Sequence, residues 1–96
     1  MQPRDEGQAM DVNYAEVVKA HAKHAVVLYK AKLPQLERLS GLQFSPDGSN
    51  TAKTAEDVQR YLDAVKVVGG QVAFISAKML LTNALRKLGL SRVHLE

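Results

Sequence analysis

Apolar residues in the first half of the chain recur with the period of an amphipathic helix, and this periodicity restricts the fold more than any other feature. At 100° per residue, the stretch from about residue 13 to Leu39 has one broad apolar face and an opposite charged face. Asn13 precedes Glu16 by three positions, the spacing of a capping box, which predicts a helix beginning there. The apolar face contains Tyr14, Ala15, Val18, Ala22, Ala25, Val26, Tyr29, Leu33 and Leu36.

Pro34 interrupts this pattern, because proline lacks the amide hydrogen that a helix interior requires and disfavours helical dihedrals at the residue before it. Leu36 and Leu39 keep the apolar spacing, so we expect a kink with a short continuation, capped by Gly41. The turn-forming residues of segment 45–50 then predict a loop.

A second helical arm is predicted from Thr54, which has Asp57 three positions on. Gly69 and Gly70 together cost about 2 kcal/mol of helix stability relative to two alanines, and the apolar face rotates across them. We therefore predict two helices, roughly 55–68 and 71–88, closed by Gly89. The expected fold is all-α, an antiparallel helical hairpin or three-helix bundle, with its second arm kinked or broken at Gly69-Gly70 and completed by oligomerisation.

Both ends of the chain differ from its middle. Residues 1–12 are polar and include Pro3 and Gly7, which predicts a flexible tail before a single helical domain over 13–94. Leu95 and Glu96 have the appearance of vector-derived residues. The start of the chain lacks the basic-then-apolar order of a secretory signal, and no apolar run reaches the roughly 18 residues of a membrane span. We therefore expect a cytoplasmic protein without a membrane span.

Residues suited to catalysis or metal binding are sparse. The sequence has no cysteine, which excludes disulfides and thiolate chemistry. His21 and His24 have a spacing that could place two imidazoles on one metal, but no further ligand at helical spacing completes a shell. No phosphate-binding loop or recognisable triad order is present. We expect no metal, no cofactor and no enzymatic activity.

Surplus apolar residues point instead to association with other protein chains, because a helical hairpin has one internal interface and the helices carry apolar residues on further faces. We predict an interaction or assembly module, acting as a homo-oligomer, expected to be a dimer, or as an adaptor bound to another helical protein. The predicted oligomer interface consists of Val27, Leu28, Phe74, Leu81 and Leu85.

Nucleic-acid binding is the alternative, since the chain has a net charge of +3 and its basic residues cluster. Glu16 and Glu37 share the basic face of the first helix, and no aromatic residues interleave with it for base stacking, which weakens this reading. The candidate contacts are Lys19, Lys23 and Lys30 on the first helix and Arg86, Lys87 and Arg92 near the C-terminus.

Overall fold

The computed structural model describes residues 13–96, and the regular structure in that range is helical. This confirms the predicted all-α class and a compact helical bundle. The predicted tail, residues 1–12, lies outside the described residues. The elements are α1 (Tyr14–Leu28), a 3₁₀ turn (Lys30–Lys32), α2 (Leu33–Ser40), α3 (Ala55–Gly69) and α4 (Gln71–Lys87).

The predicted helix starts are confirmed by their side-chain caps. The Glu16 amide donates to Asn13 Oδ1 at 3.2 Å. At α3, the Asp57 amide donates to Thr54 Oγ1 and the Thr54 amide donates back to the Asp57 carboxylate, each at 3.1 Å, which forms a capping box. Local sequence therefore determines where α1 and α3 begin.

The first arm differs from the prediction, because it reverses direction instead of kinking. His21 hydrogen-bonds Tyr61, and Tyr29 lies against Gly69, so α1 runs parallel to α3. After the 3₁₀ turn, α2 runs back along α3 in the opposite direction. Pro34 occupies the first turn of α2, where a missing amide hydrogen costs nothing, so it begins a helix here instead of bending one.

The second arm breaks at Gly69-Gly70 as predicted. Gly70 has φ +94°, a conformation that side-chain-bearing residues rarely adopt. Gly69 has a different role, because a Cβ at this position would collide with the Tyr29 hydroxyl and would lie 2.8 Å from the Ala73 Cβ. The glycine pair thus combines a turn with a close approach of α1 to the α3–α4 junction.

The connection between α2 and α3 lies along α1 and is held by hydrogen bonds. Asn50 Nδ2 donates to the carbonyl oxygens of Ala15 and Gly48, each at 3.0 Å. A Cβ on Gly48 would lie 2.7 Å from the Lys23 Cα, so the turn packs directly on the α1 backbone. The turn thereby covers one flank of α1.

The core lies between α1, α3 and α4, with α2 covering α3. Leu95, one of the two residues that we attributed to a vector, is buried in this core, and the Glu96 amide donates to Gln59 Oε1 at 2.7 Å. The packed domain therefore extends past residue 94. The largest fully buried apolar side chains are Tyr61, Leu36, Leu62, Leu81, Leu85, Val17, Val18, Val58 and Val65.

Candidate functional site

A groove runs between α1 and α4, which are antiparallel. Residues 16–20 of α1 lie opposite residues 83–88 of α4, and residues 24–28 lie opposite residues 76–80. Two cavities of about 730 Å³ and about 520 Å³ open along this line. They share Lys23, His24 and Leu80 as lining residues, so we treat them as one surface and call it the α1–α4 groove.

The groove has an apolar floor and a basic rim. Its floor in the larger cavity is formed by Val17, Ala20, Leu80, Ala84 and Leu88. Four basic side chains line the same cavity against a single acidic one, Glu16. Within residues 13–96 the salt bridge that forms joins Arg60 to Asp57, neither of which lines the groove, so the four cations form no ion pair with a described residue. The basic lining residues are Lys19 and Lys23 from α1 and Arg86 and Lys87 from α4.

The rim contains four of the six basic residues that the sequence suggested as nucleic-acid contacts. Lys30 and Arg92 are the exceptions, because neither lines the groove: Lys30 belongs to the 3₁₀ turn and Arg92 follows the end of α4. Asp47, in the turn packed on α1, lies near Lys19. The pKa of its carboxyl is lowered mainly by hydrogen bonds from Ser49, with a smaller contribution from the Lys19 charge.

Three of the five predicted interface residues are buried within the chain itself. Phe74, Leu81 and Leu85 are 9%, 0% and 1% exposed and belong to the core, so the prediction that they face another subunit is corrected. The physical reason is that α1 and α3 pack against this face of α4. Val27 and Leu28 are 73% and 69% exposed and line the smaller cavity of the groove, where they remain available for contact.

The predicted interface did not include an exposed apolar stripe on α4. Val72, Ile75 and Met79 are 81%, 55% and 58% exposed, and their spacing places them on one side of the helix, away from the core. We call these three residues the outer face of α4. The signal was present in the sequence as apolar residues at helical spacing, but α4 has two apolar faces and sequence alone does not indicate which one is buried.

A buried polar pair lies behind the groove. His21 Nδ1 is 2.6 Å from the Tyr61 hydroxyl, and the His21 ring also lines the smaller cavity. Burial raises the pKa of Tyr61, so its hydroxyl stays protonated and can donate to Nδ1. Burial, with a smaller contribution from the nearby His24, lowers the pKa of His21 to about 4. His21 is therefore neutral near pH 7 and acts as an acceptor on Nδ1.

Over residues 13–96, no group of three His, Cys, Asp or Glu side chains is placed to hold a metal ion. No helix in this described range is both long and apolar enough to cross a bilayer. No protein-family model, curated protein or solved structure matches this chain.

Proposed function

We propose that this chain is a non-catalytic helical assembly module that pairs with a second copy of itself through the outer face of α4. The observation that supports the proposal is the stripe of Val72, Ile75 and Met79, which nothing covers among the described residues. Contiguous exposed apolar surface of this kind is typical of protein contact sites.

An antiparallel pairing of two α4 helices suits the charges on this helix. Ile75 lies midway between Val72 and Met79 on this face, so a two-fold axis beside it would place Val72 of one copy next to Met79 of the other. The two copies of Arg86 would then lie about 32 Å apart along the helix axis, well beyond the Debye length of about 8 Å at physiological ionic strength. A parallel pairing would bring these cations together, which favours the antiparallel arrangement.

Single-cysteine crosslinking tests this arrangement, because the chain has no cysteine to interfere. In Ile75→Cys the two thiols would meet at the two-fold axis and form a disulfide-linked dimer under mild oxidation. Val67→Cys is the matched control, since Val67 is similarly exposed but lies on α3. We expect Ile75→Cys to crosslink at least about tenfold faster than Val67→Cys, because association raises the effective thiol concentration.

Light scattering coupled to size exclusion gives an independent measurement. The unmodified chain should have the mass of a dimer at tens of micromolar, and Ile75→Ser combined with Met79→Ser should have the mass of a monomer. A monomeric unmodified chain at these concentrations, or equal crosslinking rates for the two cysteine variants, would contradict the proposal.

A further inference from the structure

We infer that the α1–α4 groove binds an amphipathic helix of another protein, with acidic residues flanking the apolar face of that helix. This interaction is separate from self-association, because it uses the space between α1 and α4 instead of the outer face of α4. The partner is defined by its chemistry: an apolar stripe for the floor of the groove and carboxylates for its rim.

The floor of the groove has the dimensions and composition that a docked helix requires. Along α1 the groove extends from Glu16 to Leu28, which corresponds to about 18 Å of helix, or roughly three turns. Ala20 and Ala84 are small, so a third helix could approach α1 and α4 closely between them. Leu80 and Leu88, 36% and 47% exposed, offer apolar contacts to its buried stripe.

The rim determines the sign of the partner's charge. Lys19 and Lys23 approach from one wall of the groove and Arg86 and Lys87 from the other. The nearby carboxylates are fewer: Glu16 lines the groove, and Asp47 lies near Lys19. Carboxylates on both sides of a docked apolar stripe would therefore each meet a cation. Such complementarity accelerates association and selects against basic partners.

A phosphate backbone would also be attracted by four cations, but the lining of the groove favours a protein helix. No Phe, Tyr or Trp side chain belongs to the residues that line it, so a nucleic-acid strand would find only the smaller imidazole rings of His21 and His24 for base stacking. The apolar floor would face polar sugars and phosphates, whereas leucine or alanine side chains of a helix would be buried on it.

Binding of a designed probe peptide tests the inference. The probe is a fluorescent helical peptide of about 14 residues, sufficient to span the groove, with leucines on one face and glutamates flanking them. The matched peptide has lysine in place of each glutamate, and an oligothymidine of similar length represents nucleic acid. Fluorescence anisotropy at low and moderate salt should show binding of the glutamate peptide that weakens with salt, and at least about tenfold weaker binding of the lysine peptide.

A charge-reversal variant tests whether the groove cations bind the peptide. Lys23→Glu combined with Lys87→Glu reverses one cation on each wall. We expect this double variant to bind the glutamate peptide more than about tenfold more weakly, and the lysine peptide more tightly, than the unmodified chain does. Lys30→Glu combined with Arg92→Glu makes the same change in net charge outside the groove and should leave binding unchanged. Circular dichroism of both double variants verifies that they remain folded.

Three results would overturn the inference. They are the absence of peptide binding, equal binding of the two peptides, and binding of the oligothymidine as tight as that of the glutamate peptide. The last result would assign the rim to nucleic acid instead. None of the four substitutions lies on the outer face of α4, so the light-scattering mass of the same samples reports self-association independently, and either proposal can fail without the other.

Discussion

At the scale of single residues, the His21–Tyr61 pair is the clearest case of a polar group that the fold itself controls. His21 is 5% exposed, and its short hydrogen bond to a buried hydroxyl replaces the water that each group loses on folding. An imidazolium at this position would lack solvation and would not accept the Tyr61 hydrogen bond. The folded state therefore favours neutral His21.

This pair makes stability depend on pH. The pKa of His21 is about 4 in the folded chain, against 6.5 for an unperturbed histidine. At pH values between these two, the unfolded chain therefore binds one proton more than the folded chain does. Stability should be complete above pH 6.5 and should fall by roughly 3 kcal/mol as the pH drops to about 4. Urea unfolding across this range measures it. His21→Leu should lack this pH-dependent part of the unfolding free energy, and the exposed-site control His24→Leu should retain it. Equal pH profiles for the two variants would contradict the attribution of the pH dependence to His21.

Removing the hydroxyl of the pair tests the hydrogen bond directly. Tyr61→Phe keeps the ring but leaves His21 Nδ1 buried without its donor, which should cost about 1 to 3 kcal/mol. Denaturant unfolding at pH 7.5 gives the value. Tyr14→Phe is a suitable control, because Tyr14 is only partly buried, and a cost equal to that of Tyr61→Phe would argue against a special role for the pair.

At the scale of elements, local sequence signals decide where the helices begin and end. The Thr54–Asp57 capping box and the left-handed glycines Gly41 and Gly89 all lie where the sequence indicated. At the end of α4, the Leu90 amide donates to the Leu85 carbonyl at 2.9 Å, the long hydrogen bond of a Schellman motif. Each of these capping motifs involves only a few neighbouring residues, which is why the sequence alone reveals it.

The capping box should contribute measurably to stability. Thr54→Ala removes the oxygen that accepts from the Asp57 amide, and we expect a loss of about 1 kcal/mol in the free energy of unfolding. Thr54→Ser retains an equivalent oxygen and should lose much less. Chemical denaturation of the two variants separates these cases, and equal losses would mean that the hydroxyl is not responsible.

At the scale of the whole molecule, α4 has two apolar faces with different roles. Leu81 and Leu85 lie in the core against α1 and α3, whereas Val72, Ile75 and Met79 face outward. Substitution of the inner set should therefore destabilise the chain, and substitution of the outer set should change its association. This division replaces the sequence-based assignment of Leu81 and Leu85 to an interface.

Leu81→Ala should cost about 2 to 5 kcal/mol, because it leaves a cavity in a fully buried site. Met79→Ala should change the unfolding free energy of the monomer by less than about 0.5 kcal/mol, since surface substitutions rarely exceed this value. Thermal and urea unfolding at low protein concentration, where association is suppressed, gives both numbers. Similar costs for the two substitutions would contradict the division of α4 into an inner and an outer face.

Sequence alone determined the helical class, the caps at Asn13 and Thr54, and the break at Gly69-Gly70, because periodicity, capping and glycine conformation are properties of neighbouring residues. Tertiary structure alone decided that the first arm reverses before Pro34, since a proline in the first turn of a helix and a proline in a kink have the same local signature. It also decided which face of α4 is buried and which cations share a groove. Lys23 and Lys87 are far apart along the chain, and only the antiparallel packing of α1 on α4 brings them to one surface.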